Sequence, residues 1–188
     1  MADPVPSYLA DVVDKSPDSV TLKSLKGEER STFLQSWVML QFHYTGKASY
    51  SEAEQIVLPQ LSAAMRNHYF VFWIGYQVCN SSLSGYWDFS EPPILTQQAA
   101  AAFHALGALK QAKQLELSES LFQKHYAVYK KVVGTDKEDT VYDAFEEDLE
   151  QMVSELGELD WFLLEERLNY IEKHIDEFQG PSPNQAAQ

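Results

Sequence analysis

An all-α fold is what this 188-residue sequence predicts, and three observations carry the prediction. Apolar residues recur at three- and four-residue spacing along most of the chain, the period of an amphipathic helix. Residues 60–80 are apolar almost all round, with Leu61, Ala64, Met65, Tyr69, Phe70, Val71, Phe72, Trp73, Ile74, Tyr76 and Val78, and a helix without a polar face belongs in the middle of a domain. A strand over 69–74 competes, since aromatic and β-branched residues favour sheets, but no partner strand is visible elsewhere. The expected architecture is a single compact domain of about seven to nine helices round a central apolar helix. It spans residues 27–178, with an irregular arm over 1–26 and a disordered tail over 179–188.

The elements follow in order. Pro4, Pro6 and Pro17 break up the arm, which Tyr8, Leu9, Val12 and Val13 dock as one helical turn or two. From Glu28, the residues Phe33, Leu34, Trp37, Val38, Leu40, Gln41 and Tyr44 mark a helix that Gly46 stops. Ser51 and Glu54 fit a capping box for a short helix ending near Pro59. After the central helix, Asn80–Gly85 opens a loop running through Glu91-Pro92-Pro93. Thr96 caps an Ala-rich helix to Leu106, and Gly107 suits the left-handed position beyond its end. Further helices are expected over about 109–132, 139–156 and 160–178.

The net charge of −14 is not spread along the chain. Asp136–Glu177 holds sixteen of the 28 acids and three bases, Lys137, Arg167 and Lys173, whereas residues 1–135 carry twelve acids against eleven bases. Concentrated like charge repels itself and opposes folding. Placed on a helical wheel at about 100° per residue, Val141, Tyr142, Phe145, Leu149, Met152 and Val153 collect on one side. Asp143, Glu146, Glu147 and Glu150 collect on the other. In the last helix Glu158, Glu165, Glu172 and Asp176 align away from Trp161, Leu164, Leu168, Ile171, Ile175 and Phe178. Acidic outer faces are commonly just solvated ones, but exposed helices usually interleave Glu with Lys, and this segment largely omits the lysines.

Composition sets the class. The 45% hydrophobic and 13% aromatic content is that of a globular chain. A single cysteine, Cys79, excludes an internal disulfide and points to a reducing compartment. The N-terminus lacks a secretory pattern, and no apolar run approaches the ~20 residues of a membrane span. A soluble, cytoplasmic protein with no membrane partner is expected. Its acidity argues against direct nucleic-acid binding and for basic protein partners.

No catalytic or cofactor pattern competes. His43, His68, His104, His125 and His174 lack the Glu three residues upstream that di-iron bundles use, and no His-Glu-x-x-His occurs. Each histidine reads as a surface or partly buried structural residue, and Cys79 as a buried structural thiol. Asp136 to Glu147 begins like a calcium loop, but Val141 stands where the sharp turn needs glycine. No P-loop or Gly-x-Ser-x-Gly elbow appears. No enzyme, metal or cofactor is therefore expected. The aromatics Trp73, Tyr76 and Trp87 suit a small-molecule pocket or, more commonly, a core.

Tyr76-Gln-Val-Cys-Asn80, Tyr86-Trp87, the Ala-rich helix with His104-Ala-Leu-Gly-Ala108, Leu159-Asp-Trp-Phe162 and Leu168-Asn-Tyr-Ile-Glu-Lys-His174 carry a resemblance. Over about 65–178 the chain resembles the DMP-type DNA-mimic domain, a bacterial helical family. One departure is visible: the family's Asn-Gly-Gly-Phe is here Asn80-Ser81-Ser82-Leu83. The resemblance implies an all-α, dimeric protein whose acids imitate DNA phosphates and occupy the DNA-binding surface of a transcription factor. The expected function is non-enzymatic sequestration of such a basic protein. The expected partner-binding residues are Asp143, Glu146, Glu147, Glu150, Glu158, Glu165, Glu172 and Asp176. An immunity or antitoxin-type protein neutralising a basic toxin is the alternative, followed by a helical protein with a small-molecule pocket.

Overall fold

A computed structural model of the chain describes residues 4–47, 49–89 and 96–178, and among these every regular element is helical. The α-helices are α1 (Ser19–Ser24), α2 (Glu28–Tyr44), α3 (Tyr50–Val57), α4 (Ala63–Tyr86), α5 (Thr96–Ala105), α6 (Leu109–Val132), α7 (Glu138–Leu156) and α8 (Leu164–Lys173). Two 3-10 helices cover Ser7–Val12 and Leu58–Gln60. The all-α class and the expected number of helices hold. The loop through Glu91-Pro92-Pro93 and the tail from Gln179 lie outside the described residues. Among the described residues, no helix is long and apolar enough to cross a membrane. Contacts group the chain into two compact units, Met1–Phe72 with Leu164–Gln188, and Trp73–Leu163.

In the first unit, α2 packs against α3, α8 and the first 3-10 helix. Leu34, Trp37, Val38 and Leu40 are fully buried, and the N-terminal arm adds Leu9, Val12 and Leu22. The arm is thus built of short helices. Asp18 caps α1 by accepting from the Thr21 amide at 2.8 Å, and this bond holds its carboxyl below the usual range. Helix α3 begins at Tyr50, ahead of the expected cap at Ser51, and Glu54 instead accepts from the hydroxyl of buried Tyr69 at 2.6 Å.

Below α2 lies a buried polar group that the sequence did not announce. Arg167 is 1% exposed although it belongs to the acidic segment. Its Nη1 donates to Ser31 Oγ at 2.8 Å, and its guanidinium lies 4.8 Å from the centre of the Phe72 ring. Ser31 Oγ in turn stands 2.9 Å from Nε2 of His68. His68 is fully buried, beyond the partial burial expected for it. Burial, followed by the charge of Arg167, lowers its pKa to about 3 from an ordinary 6.5. The ring is therefore neutral, and the serine hydroxyl hydrogen-bonds to it while accepting from the arginine. Ser31 and His68 share a nucleophile–base geometry, but with both residues at 0% exposure they form part of the core.

In the second unit, α6 packs against both α5 and α7. Trp87 stacks on Phe122 at 4.9 Å between ring centres and donates from Nε1 to Ser118 Oγ at 3.0 Å. Phe89 lies 5.0 Å from Phe122 and 5.2 Å from Phe145. Gly107, at φ +82, takes the left-handed position expected beyond α5. Gly75 is needed for a different reason: a Cβ there would stand 2.3 Å from the carbonyl oxygen of Trp161.

Two expectations are corrected here. The stretch 80–85 is not a loop; α4 continues to Tyr86 across a break at Ser82, which has φ 69 and ψ 174. Glycine adopts that combination freely and other residues at a cost of about 1–3 kcal/mol. Ser82 thus holds a backbone geometry that favours glycine. The final helix is also shorter than 160–178. Asp160 Oδ1 accepts from the Phe162 amide at 2.8 Å and Leu163 has φ 47, so α8 starts only at Leu164. Glu158, Trp161 and Asp176 therefore lie off the helix on which the wheel placed them.

Three outcomes are expected. Gly75→Ala should lower stability by about 1–2 kcal/mol, overpacking against a backbone carbonyl outweighing the helix propensity gained. Ser82→Gly should raise it by about 1 kcal/mol, relief of the strained φ exceeding the added chain entropy; urea unfolding measures both. For His68, the unfolded state binds the extra proton between the folded pKa of about 3 and the ordinary 6.5. Its contribution is therefore complete above that upper value and is lost on acidification, by up to about 1.4 kcal/mol per pH unit. Stability against pH for the parent chain and for His68→Gln should differ by that slope, and parallel curves would refute it.

Candidate functional site

The acids cannot be understood apart from what anchors them. Phe145, Leu149 and Met152 are buried on the inner side of α7, so the side chains between them are turned outward by helical geometry. Asp143, Glu147 and Glu150 are exposed and Glu146 is half-buried. Glu138 fixes the start of the helix, accepting from the Gly134 amide at 2.7 Å and from the Tyr129 hydroxyl at 3.0 Å. This also removes the calcium-loop reading, because residues 138–147 are helical. Among the described residues, no group of three or more His, Cys, Asp or Glu side chains is placed to hold a metal.

One face of α7 lines a cleft of about 990 Å³ within the second unit. Glu146, Leu149, Glu150, Val153 and Ser154 form one wall, and Val78, Cys79, Ser82, Leu83 and Ser84 of α4 supply another. Gln114 of α6 contributes, and the stretch from Gly157 to Trp161 completes the lining with Glu158 and Asp160. That stretch is held in place: Gln111 Nε2 donates to the Asp160 carbonyl at 2.7 Å, and the buried Trp161 ring lies 5.5 Å from Phe103. Three of the eight expected acids, Glu146, Glu150 and Glu158, thus share one concave site. Asp143 and Glu147 lie on α7 outside its lining.

The other expected acids belong to the first unit. Glu165 is exposed in the first turn of α8, where the helix dipole favours a carboxylate. Glu172 is paired with Arg30, and Asp176 with Lys23 at 3.2 Å. Asp143, Glu146, Glu147, Glu150, Glu158 and Glu165 form no ion pair among the described residues. Asp148, on the flank of α7, pairs with Lys124 at 2.7 Å and shares a hydrogen bond with His125 at 2.8 Å. The hydrogen bond from Lys124, then that from His125, holds its carboxyl below the ordinary range.

Sequence reasoning missed four parts of this site. Cys79, expected to be buried, is exposed and lines the cleft. Asp160, Ser82 and Gln114 also line it. Asp160 lay inside the acidic segment, and a search beyond helical positions would have found it. Gln114 carries no signal, being one polar residue in a mixed helix. Of the aromatics weighed for a pocket or a core, Trp87 is core, Tyr76 is half-exposed and stacks on Trp73 at 6.0 Å, and none of the three lines this cleft. Comparison of the chain with family models, curated proteins and solved structures gave no match.

Proposed function

We infer that the chain is a non-enzymatic binding protein whose acidic α7 face occupies the DNA-binding surface of a basic protein in place of DNA. The observation that carries this reading is the set of five unpaired carboxylates, Asp143, Glu146, Glu147, Glu150 and Glu158, on a helix and loop anchored by buried side chains. Fixed anions without internal counter-ions leave their charge for an external cation. Asp143 and Glu150 are separated by about 10 Å along the helix at ~1.5 Å per residue. Duplex phosphates repeat every ~3.4 Å on one strand, so the helix offers a sparser anion row at comparable reach. The motif resemblance to the DNA-mimic domain supports the same reading and adds the expectation of a dimer. A basic toxin would meet the same electrostatics.

The test is capture of a DNA-binding protein from native lysate by the parent chain, repeated with competing duplex DNA and at rising salt. DNA should displace the captured protein and salt should weaken the complex steeply. Asp143→Asn/Glu147→Gln/Glu150→Gln should weaken it about tenfold, three exposed charges contributing about 0.5 kcal/mol each. A partner that holds DNA and this chain simultaneously would refute the reading.

A further inference from the structure

The cleft of the second unit contains a group that acidity alone does not explain. Gln114 is 1% exposed and lines the cleft, yet its Nε2 has no hydrogen-bond partner among the described residues. A buried amide donor left unmet costs about as much as a lost hydrogen bond. The side chain stands in the cleft wall, where a rotation of its amide would bring Nε2 to an acceptor supplied from outside. Around it the cleft presents two further chemistries: the carboxylates of Glu146, Glu150 and Glu158, and the apolar side chains of Leu83, Leu149 and Trp161.

We propose that this cleft takes a basic peptide segment of the partner. An Arg or Lys side chain pairs with Glu146, Glu150 and Glu158, and a neighbouring peptide carbonyl accepts from Gln114 Nε2. The three chemistries together select this occupant. A polyamine brings positive charge but has no neutral acceptor for Gln114. A free amino acid or nucleotide brings an anion into a site of four carboxylates, counting Asp160. A peptide supplies a cation and uncharged carbonyls at adjacent positions, and the aliphatic stems of Lys and Arg lie well on apolar walls. A volume of about 990 Å³ exceeds what one side chain fills and sits at the upper end of ligand-sized clefts. The proposal rests on the reading of a basic protein partner and narrows it from a charged face to an inserted segment.

The single cysteine provides the readout, because Cys79 is exposed and lines the same cleft. The probe is an acetylated, amidated hexapeptide of alternating Leu and Arg, with citrulline in place of Arg as its neutral control. The Arg peptide should slow alkylation of Cys79 by a bulky maleimide, and the citrulline peptide and spermidine should not. In fluorescence anisotropy, Glu146→Gln/Glu150→Gln should weaken the Arg peptide about tenfold or more. Gln114→Leu should weaken it about three- to tenfold, the value of one hydrogen bond. Asp136→Asn/Asp139→Asn, exposed acids outside the cleft and outside the proposed partner-binding set, should change it less than twofold. Equal losses for the two acid pairs, protection by spermidine, or an unprotected Cys79 would overturn the proposal. The protection assay uses the unsubstituted chain and decides the matter even if Gln114→Leu fails to fold. A captured DNA-binding protein that leaves Cys79 fully reactive removes the inserted segment and keeps the partner. Peptide protection without DNA-competitive capture removes the DNA-mimic reading and keeps the site.

Discussion

Everything proposed for the acids depends on the burial of Phe145. Its ring lies 5.2 Å from Phe89, 5.9 Å from Phe122 and 5.8 Å from His125, and it is fully buried. A buried aromatic side chain contributes about 1.5–3 kcal/mol by transfer from water, more than any one exposed carboxylate pair takes away. With Phe145, Leu149 and Met152 inward, the helix leaves Asp143, Glu147 and Glu150 no position but outside. Repulsion among the acids is a consequence of where the apolar side goes, and packing holds it in place. His125 serves both sides of this balance, touching Phe145 with its ring and Asp148 with Nε2.

Charge read along the chain and charge found in space are different quantities. The segment from Asp136 appeared almost free of bases, yet Glu172 meets Arg30 and Asp176 meets Lys23, partners 142 and 153 residues away in sequence. Lys124 reaches Asp148 from the neighbouring helix. Arg167, one of the three bases inside the segment, is buried against Ser31 and Phe72. Local counting thus overstates the free acid in the first unit. In the second, Asp143, Glu146, Glu147, Glu150 and Glu158 are among the described carboxylates that form no ion pair.

The helices were legible wherever periodicity and a terminator agreed. Leu109–Val132 lies where the apolar spacing and the flanking glycines put it, and α7 differs by one residue from expectation. The end of the chain was read less well because the apolar residues Trp161, Ile175 and Phe178 keep helical spacing while lying outside α8. They are buried from loop and turn conformations, and periodicity cannot distinguish a buried helical residue from a buried loop residue. The acidic part of the site was legible as composition. Its concave form was not, because Gln114, Cys79 and Asp160 meet α7 only through tertiary packing.

The break in α4 shows how the cleft obtains its apolar wall. In an unbroken helix Leu83 would share the face of Cys79, four residues earlier, and Cys79 is exposed. After Ser82 the chain resumes with Leu83 buried at 5% exposure and lining the cleft. Cys79 and Leu83 thus line the same cleft on either side of the break at Ser82. Gly75 acts at the other end of the same stretch, allowing α4 to meet the Trp161 carbonyl and so setting the position of the loop that carries Glu158 and Asp160. Both features are backbone constraints, one strained and one close-packed, and together they position the walls between which the carboxylates act.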